Sequence, residues 1–222
     1  DGDTTADDMA FIFGAANVCK TQNPCVLTAA AETMRQTMTT RVGGHCFGLA
    51  MSTLWIYDRA DVTPGDYQPG ASITYDLSKS SSRRLNQLFY YTQGAYQTTL
   101  STTVPAYTAA KGAAAIVDKL RANFANASAT DRYELSFAKP DGSAGHAVTP
   151  YAVKQVDADT YWIYVYDNNY PNNFDRVFKV TYSTNSWIYE GGATDPGAPP
   201  STYTGSGTTQ ISLKSLRNVE SF

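Results

Sequence analysis

The spacing of apolar residues changes character about halfway along the chain. Val26 to Met38 is rich in Ala, Leu and Met, with Thr28 and Glu32 near its front, and predicts a helix. Val42-Gly43-Gly44-His45 breaks that pattern. A second apolar stretch then runs from Cys46 through Leu49, Leu54, Trp55 and Ile56 to Tyr57, which places Cys46 at or near a helix N-terminus. Arg83 to Gln93 and Ala109 to Asn126 give two further helical patterns, the latter with Ile116, Val117, Leu120 and Phe124 on one face. From Tyr133 onward the period shortens. Tyr133 to Phe137, His146 to Val156, Tyr161 to Asp167, Arg176 to Tyr182, Trp187 to Tyr189 and a last run near Ile211–Leu213 read as strands, most of them separated by short polar turns. Residues 191–209 are rich in Gly, Pro, Ser and Thr and read as a long surface loop. Helices followed by antiparallel strands make an α+β fold.

Composition narrows the field. The chain has 222 residues, with 17 Lys and Arg against 20 Asp and Glu, for a net charge of −3, so neither nucleic acid nor an anionic membrane is the expected partner. No apolar run approaches the ~20 residues of a membrane span. Two histidines about a hundred residues apart, and no paired-cysteine spacing, fall short of a zinc pattern. The acidic start (Asp1, Asp3, Asp7, Asp8) lacks the Gly and Glu spacing of a calcium loop. We therefore expect no metal and no cofactor. Three cysteines leave one unpaired: Cys19 and Cys25 bracket Lys-Thr-Gln-Asn-Pro and predict a small disulfide loop, with Cys46 free. That loop, the low charge and the many Thr, Ser, Asn and Tyr residues point to a secreted or cell-surface protein.

The free cysteine is either a small buried hydrophobe or a nucleophile. A thiol at a helix N-terminus faces the positive end of the helix dipole, which favours the thiolate, and its own amide can point at an adjacent oxyanion. A general base is then needed. His45 adjoins Cys46, and adjacent side chains on an entering turn diverge, so His146, opening its strand after Gly145, is the better partner. If His146–Val156 and Tyr161–Asp167 form a hairpin about the 157–160 turn, opposing residue numbers total 317. His146 then shares its face with Asp167 and Asn169, and Asn168 points the other way unless a bulge intervenes. A carboxylate or amide there would orient the imidazole. Asp167-Asn168-Asn169-Tyr170-Pro171 is also good turn chemistry, so the third position stays open among Asp167, Asn168 and Asn169.

Gly43-Gly44-His45-Cys46-Phe47-Gly48-Leu49-Ala50, then Gly145-His146-Ala147-Val148, then Tyr161 to Asp167 resemble the papain-like cysteine peptidases, over about residues 26–190. The resemblance implies one catalytic domain over 1–222 in two lobes. A helical lobe (about 1–130) would carry the nucleophile, and an antiparallel sheet or barrel lobe (about 131–222) would carry the His and the Asp or Asn. It implies hydrolysis of peptide or amide bonds in a peptide or protein substrate by a monomeric enzyme, with Cys46, His146 and Asp167 as catalytic residues. Two departures stand out. The family's oxyanion Gln, six residues before the Cys, is replaced by Thr40, leaving Gln36 as the substitute. The Trp that often follows the family's Asn is absent. Acyl transfer or cell-wall amidase activity would use the same triad, and an inactive binding or adhesion module would keep only the fold.

Overall fold

A computed structural model describes residues 4–41, 44–78, 80–95, 108–192, 200–208 and 210–220. It is a mixed helix and sheet structure. The chain opens with α1 (Ala6–Phe13), whose first turn is closed by a reciprocal cap: Thr5 Oγ1 accepts from Asp8 N–H and the Asp8 carboxylate accepts from Thr5 N–H. The same carboxylate meets Arg83 at 2.8 Å, tying the N-terminus to the front of α5 (Arg83–Ala95). After the short α2 (Ala15–Val18), β1 (Cys19–Gln22) and β2 (Cys25–Leu27) form a hairpin closed by the Cys19–Cys25 disulfide, and Cys46 is a free thiol, as the spacing predicts.

Val26 and Leu27 thus belong to β2, not to the helix expected from residue 26. Thr28 marks the true start of α3 (Ala29–Arg41), its Oγ1 accepting from Ala31 N–H. Next, α4 (Cys46–Asp58) is apolar on several sides, with Phe47, Ala50, Met51, Leu54 and Ile56 buried, because it lies between α5 and the sheet. Gly48 is where α5 comes closest. A Cβ there would stand 2.5 Å from the Asn86 carbonyl oxygen.

Eight strands make one antiparallel sheet in the order β3-β10-β4-β5-β6-β7-β8-β9. In chain order they are β3 (Thr108–Lys111), β4 (Tyr133–Ala138), β5 (Gly145–Gln155), β6 (Thr160–Tyr166), β7 (Val177–Thr181), β8 (Ser186–Gly192), β9 (Ser201–Ser206) and β10 (Ile211–Ser215). One face, with Leu135, Phe137, Val148, Ile163, Val165, Phe178 and Leu213, closes over α6 (Ala113–Ala125). The other face meets α4 at Ala147, and the short α7 (Leu216–Glu220) completes that second core.

The sequence pattern needs three corrections here. Ala109–Lys111, expected to begin a helix, pair with β10, and α6 starts at Ala113 after Gly112. Residues 108–125 therefore pack with the strands. Phe124 is 40% exposed, so the apolar face of α6 ends at Leu120. Part of the expected 191–209 loop is β9; residues 193–199 and 209, like Gly43, lie outside the described residues. The strand escapes a propensity reading because Ser201-Thr202-Tyr203-Thr204-Gly205-Ser206 buries only Tyr203 deeply. Among the described residues, no helix is long and apolar enough to cross a membrane.

Gly205 explains how so polar a strand fits. The Trp187 ring lies across it, and a Cβ at 205 would come within 2.7 Å of that ring. Gly205→Ala should therefore destabilise the protein by about 1–3 kcal/mol, because neither the buried Trp187 nor the β9 backbone can yield freely. Urea denaturation checks this, and an unchanged midpoint would mean that β9 does not run over Trp187.

Candidate active site

Three elements bring the candidate residues together. Leu49 N–H donates to His45 O at 2.9 Å as the first turn bond of α4, so the amides of Cys46, Phe47 and Gly48 have no intrahelical acceptor. The partly buried Cys46 sulfur sits at that positive end. His146, the second residue of β5, lies near enough to Cys46 for the thiol to act on its ring. Its Nε2 lies 2.9 Å from Asp167 Oδ1, so Nδ1 is the ring nitrogen not engaged by that carboxylate. Asp167 follows the last residue of β6. The His146 and Asp167 side chains are 2% and 0% exposed, so water contributes almost nothing to the charge balance between them.

The register that joins His146 to Asp167 is not the simple hairpin. Past the turn, Gln155 faces Tyr161, a total of 316, one short of the expected pairing. Continued unbroken, that register would turn Asn168 toward His146 and Asp167 away. A bulge between Pro150 and Ala152 intervenes: beyond it Pro150 faces Val165, a total of 315, and odd residues of β6 again share the face of His146. Two one-residue departures in the same direction restore the facing. Tyr151, the extra residue, is held by its O–H to the Phe174 carbonyl.

Asp167 has further partners. Oδ1 also accepts the Asn169 N–H at 2.9 Å, and Oδ2 accepts the Tyr189 O–H at 2.6 Å. Burial raises the Asp167 carboxyl, but His146, Tyr189 and the Asn169 amide together hold it below its usual range. For His146, burial disfavours the charged ring, yet the bonds and charges of Asp167 and Cys46 prevail and raise it to about 9. Asn169 thus serves through its backbone, and the Asn168 side chain is buried without a hydrogen-bond partner among the described residues. The phenol of the buried Tyr203 feels both Cys46 and Asp167 and is raised by burial and by those charges.

Gln36 does not join this group. It is exposed on α3, with its amide donated to Glu32 Oε1 at 2.7 Å, because helical spacing makes Glu32 its nearest acceptor. His45 turns away from the sulfur, as adjacency suggests. Its ring stacks on Tyr90 at 4.5 Å and meets the amide of Gln87, a 1% exposed residue that also accepts from Thr4 Oγ1. Sequence reasoning missed Gln87, Tyr189 and Tyr203. Only the inward position of Tyr189 on its strand could have flagged it. Among the described residues, no group of three or more His, Cys, Asp or Glu side chains could hold a metal ion.

No family model matches this chain, and neither a curated protein nor a solved structure matches it. The functional reading rests on the site itself.

The His146 shift has a direct test. With two histidines in the chain, its ring signals can be assigned by comparison with a His45 variant. They should titrate near pH 9, and Cys46→Ala should lower that midpoint, since both contributions of Cys46 raise it. The sign for stability follows. A folded value above the ~6.5 of an unfolded histidine stabilises fully below pH ~6.5 and is lost as pH climbs through about 9. Between those values the slope should approach ~1.4 kcal/mol per pH unit, and His146→Gln should remove it.

Proposed function

We propose that this protein is a thiol-dependent hydrolase of peptide or amide bonds, working as the papain-like cysteine peptidases do. The observation that carries the reading is the grouping of a free cysteine at the head of a buried helix, an imidazole on which that thiol acts, and a buried carboxylate hydrogen-bonded to the imidazole. In this reading the helical part and the sheet form the two lobes of one catalytic domain, secreted or displayed at the cell surface, with the Cys46–His146 pair between them.

The chemistry follows from the geometry. The Cys46 thiolate attacks the substrate carbonyl carbon, and the Cys46 amide and its neighbours at the front of α4 donate to the developing oxyanion. His146, cationic beside Asp167, delivers its proton from Nδ1 to the departing amine as the tetrahedral intermediate collapses to a thioester. Neutral His146 then takes a proton from water, which attacks the thioester and releases the acid and the thiolate. Asp167 holds the ring's Nε2 so that Nδ1 stays aimed at the sulfur. An acyl transferase or cell-wall amidase would run the same first half with another acceptor or donor. The placement of Gln36 favours a second reading, an inactive binding module, because the family's side-chain oxyanion donor has no counterpart at that residue.

Hydrolysis of a mixed peptide library, with labelling by a thiol-directed peptidyl electrophile, separates these readings. The enzyme should cleave and be labelled at Cys46. Cys46→Ala should abolish turnover while leaving the fold intact, and His146→Ala should reduce it by roughly a hundredfold or more. An intact parent protein that neither cleaves nor labels faster than an ordinary thiol would leave only the binding module.

A further inference from the structure

We propose that Tyr189 is the positioning residue of this site, its phenol holding Asp167 oriented and negatively charged behind His146. The proposal rests on the Cys46–His146–Asp167 reading given above. A carboxylate has about four acceptor sites, and at 0% exposure Asp167 can fill them only from the protein. His146 Nε2 and the Asn169 N–H both go to Oδ1. Among the described residues, Tyr189 is the donor at Oδ2, at the 2.6 Å expected of a charge-assisted O–H bond. Without it that oxygen would be buried and bare, and the carboxyl would be free to rotate about the His146 contact or to take up a proton.

The donor is built in rather than recruited. Tyr189 is itself fully buried; it pairs with Phe178 on β7 and Tyr203 on β9, and its ring packs on Phe137 and Phe178 with centroids 5.0 and 5.9 Å away. The O–H direction is therefore set by the sheet. Burial, together with the adjacent Asp167 charge, raises the phenol far above its ordinary value, so it remains a donor at any working pH. The charged and titratable groups around the pair can be named from each element. They are His146 on β5, Cys46 at α4, Tyr166 on β6, Tyr203 on β9, and Tyr170 and Arg176 from the segment before β7. Arg176 lies 3.6 Å from the centroid of the Tyr170 ring and donates to the Glu190 carbonyl, and its charge acts on Tyr189. None of these other groups reaches Oδ2 in the structure.

The test reads the carboxyl directly. Carbon-13 labelling of aspartate allows the Asp167 side-chain resonance to be followed against pH in the full-length protein. It should titrate below the ordinary carboxylate range in the parent and move up by about one pH unit, a tenfold gain in proton affinity, in Tyr189→Phe. Turnover of peptide substrates in the same variant should fall about tenfold in kcat with KM little changed. Should Tyr189→Phe not fold, 3-fluorotyrosine at position 189, a near-isosteric and stronger donor, should move the same resonance down. An Asp167 titration that neither change displaces overturns the proposal. Its displacement in a protein whose Cys46→Ala variant keeps full turnover would overturn the peptidase reading and leave the Tyr189–Asp167 coupling standing.

Discussion

The structure around the site depends on keeping a carboxylate charged where water cannot reach it. An ionised group in a dry interior is tolerated only when it is paired and fully hydrogen-bonded. Asp167 meets that condition through donors from three places in the chain: the β5 imidazole, its own following turn and the β8 phenol. The positions of β5, β6 and β8 relative to one another are therefore not interchangeable with a neighbouring register. A slip of one residue in the β5–β6 pairing would present the Asn168 side chain in place of Asp167, exchanging an anion for an amide. The bulge at Tyr151 is what fixes that choice.

The Cys46 side of the site depends on a different constraint, the close approach of two helices. Cys46 is placed by α4, and α4 is held between the sheet and α5 with little tolerance at Gly48, against Asn86. Beneath the first turn of α4, Lys214 lies 5.1 Å from the Phe47 ring and 3.8 Å from the fully buried Glu134. Burial raises the Glu134 carboxyl, and the Lys214 charge opposes that rise. The β4–β5 register puts Phe137 opposite His146, so Glu134 and Ser136 point to the other face of the sheet from the imidazole. Charges thus lie on both faces of the same two strands, separated by the backbone.

Much of this arrangement was legible because it is local. Cys46 at a helix start, His146 at a strand start and Asp167 at the end of the next strand each follow from apolar periodicity and from the glycines and turns that interrupt it. The disulfide followed from counting cysteines. The parts that escaped reading depend on partners far away in sequence. Ala109–Lys111 look helical because alanine favours helices, and only pairing with β10, a hundred residues later, makes them a strand. Likewise β9 is polar enough to read as loop until Trp187 lies beneath Gly205. Asp167 was put on the His146 face through a register one residue off at the turn and two off at the site, and no propensity scale would reveal the bulge that restores the facing. Gln36 was selected for its chemical type, and its helical neighbour Glu32 claims the amide instead.

The balance of charge at the site explains why its components must occur together. In the proposed mechanism, which needs Cys46 as thiolate beside the Asp167 carboxylate, His146 supplies a single positive charge against two negative ones. That excess of one negative charge would be expensive in a medium that screens poorly. The front of α4 offsets part of it, since a helix N-terminus carries roughly +0.5 of an elementary charge concentrated on its unbonded amides. The Tyr189 phenol offsets another part as a neutral dipole, which lets it lie against the anion without adding a charge that would repel the imidazolium. A lysine or arginine at position 189 would neutralise Asp167 outright and release His146 from its partner. The donor suited to this position is strong, uncharged and unable to ionise, and a buried tyrosine meets all three conditions.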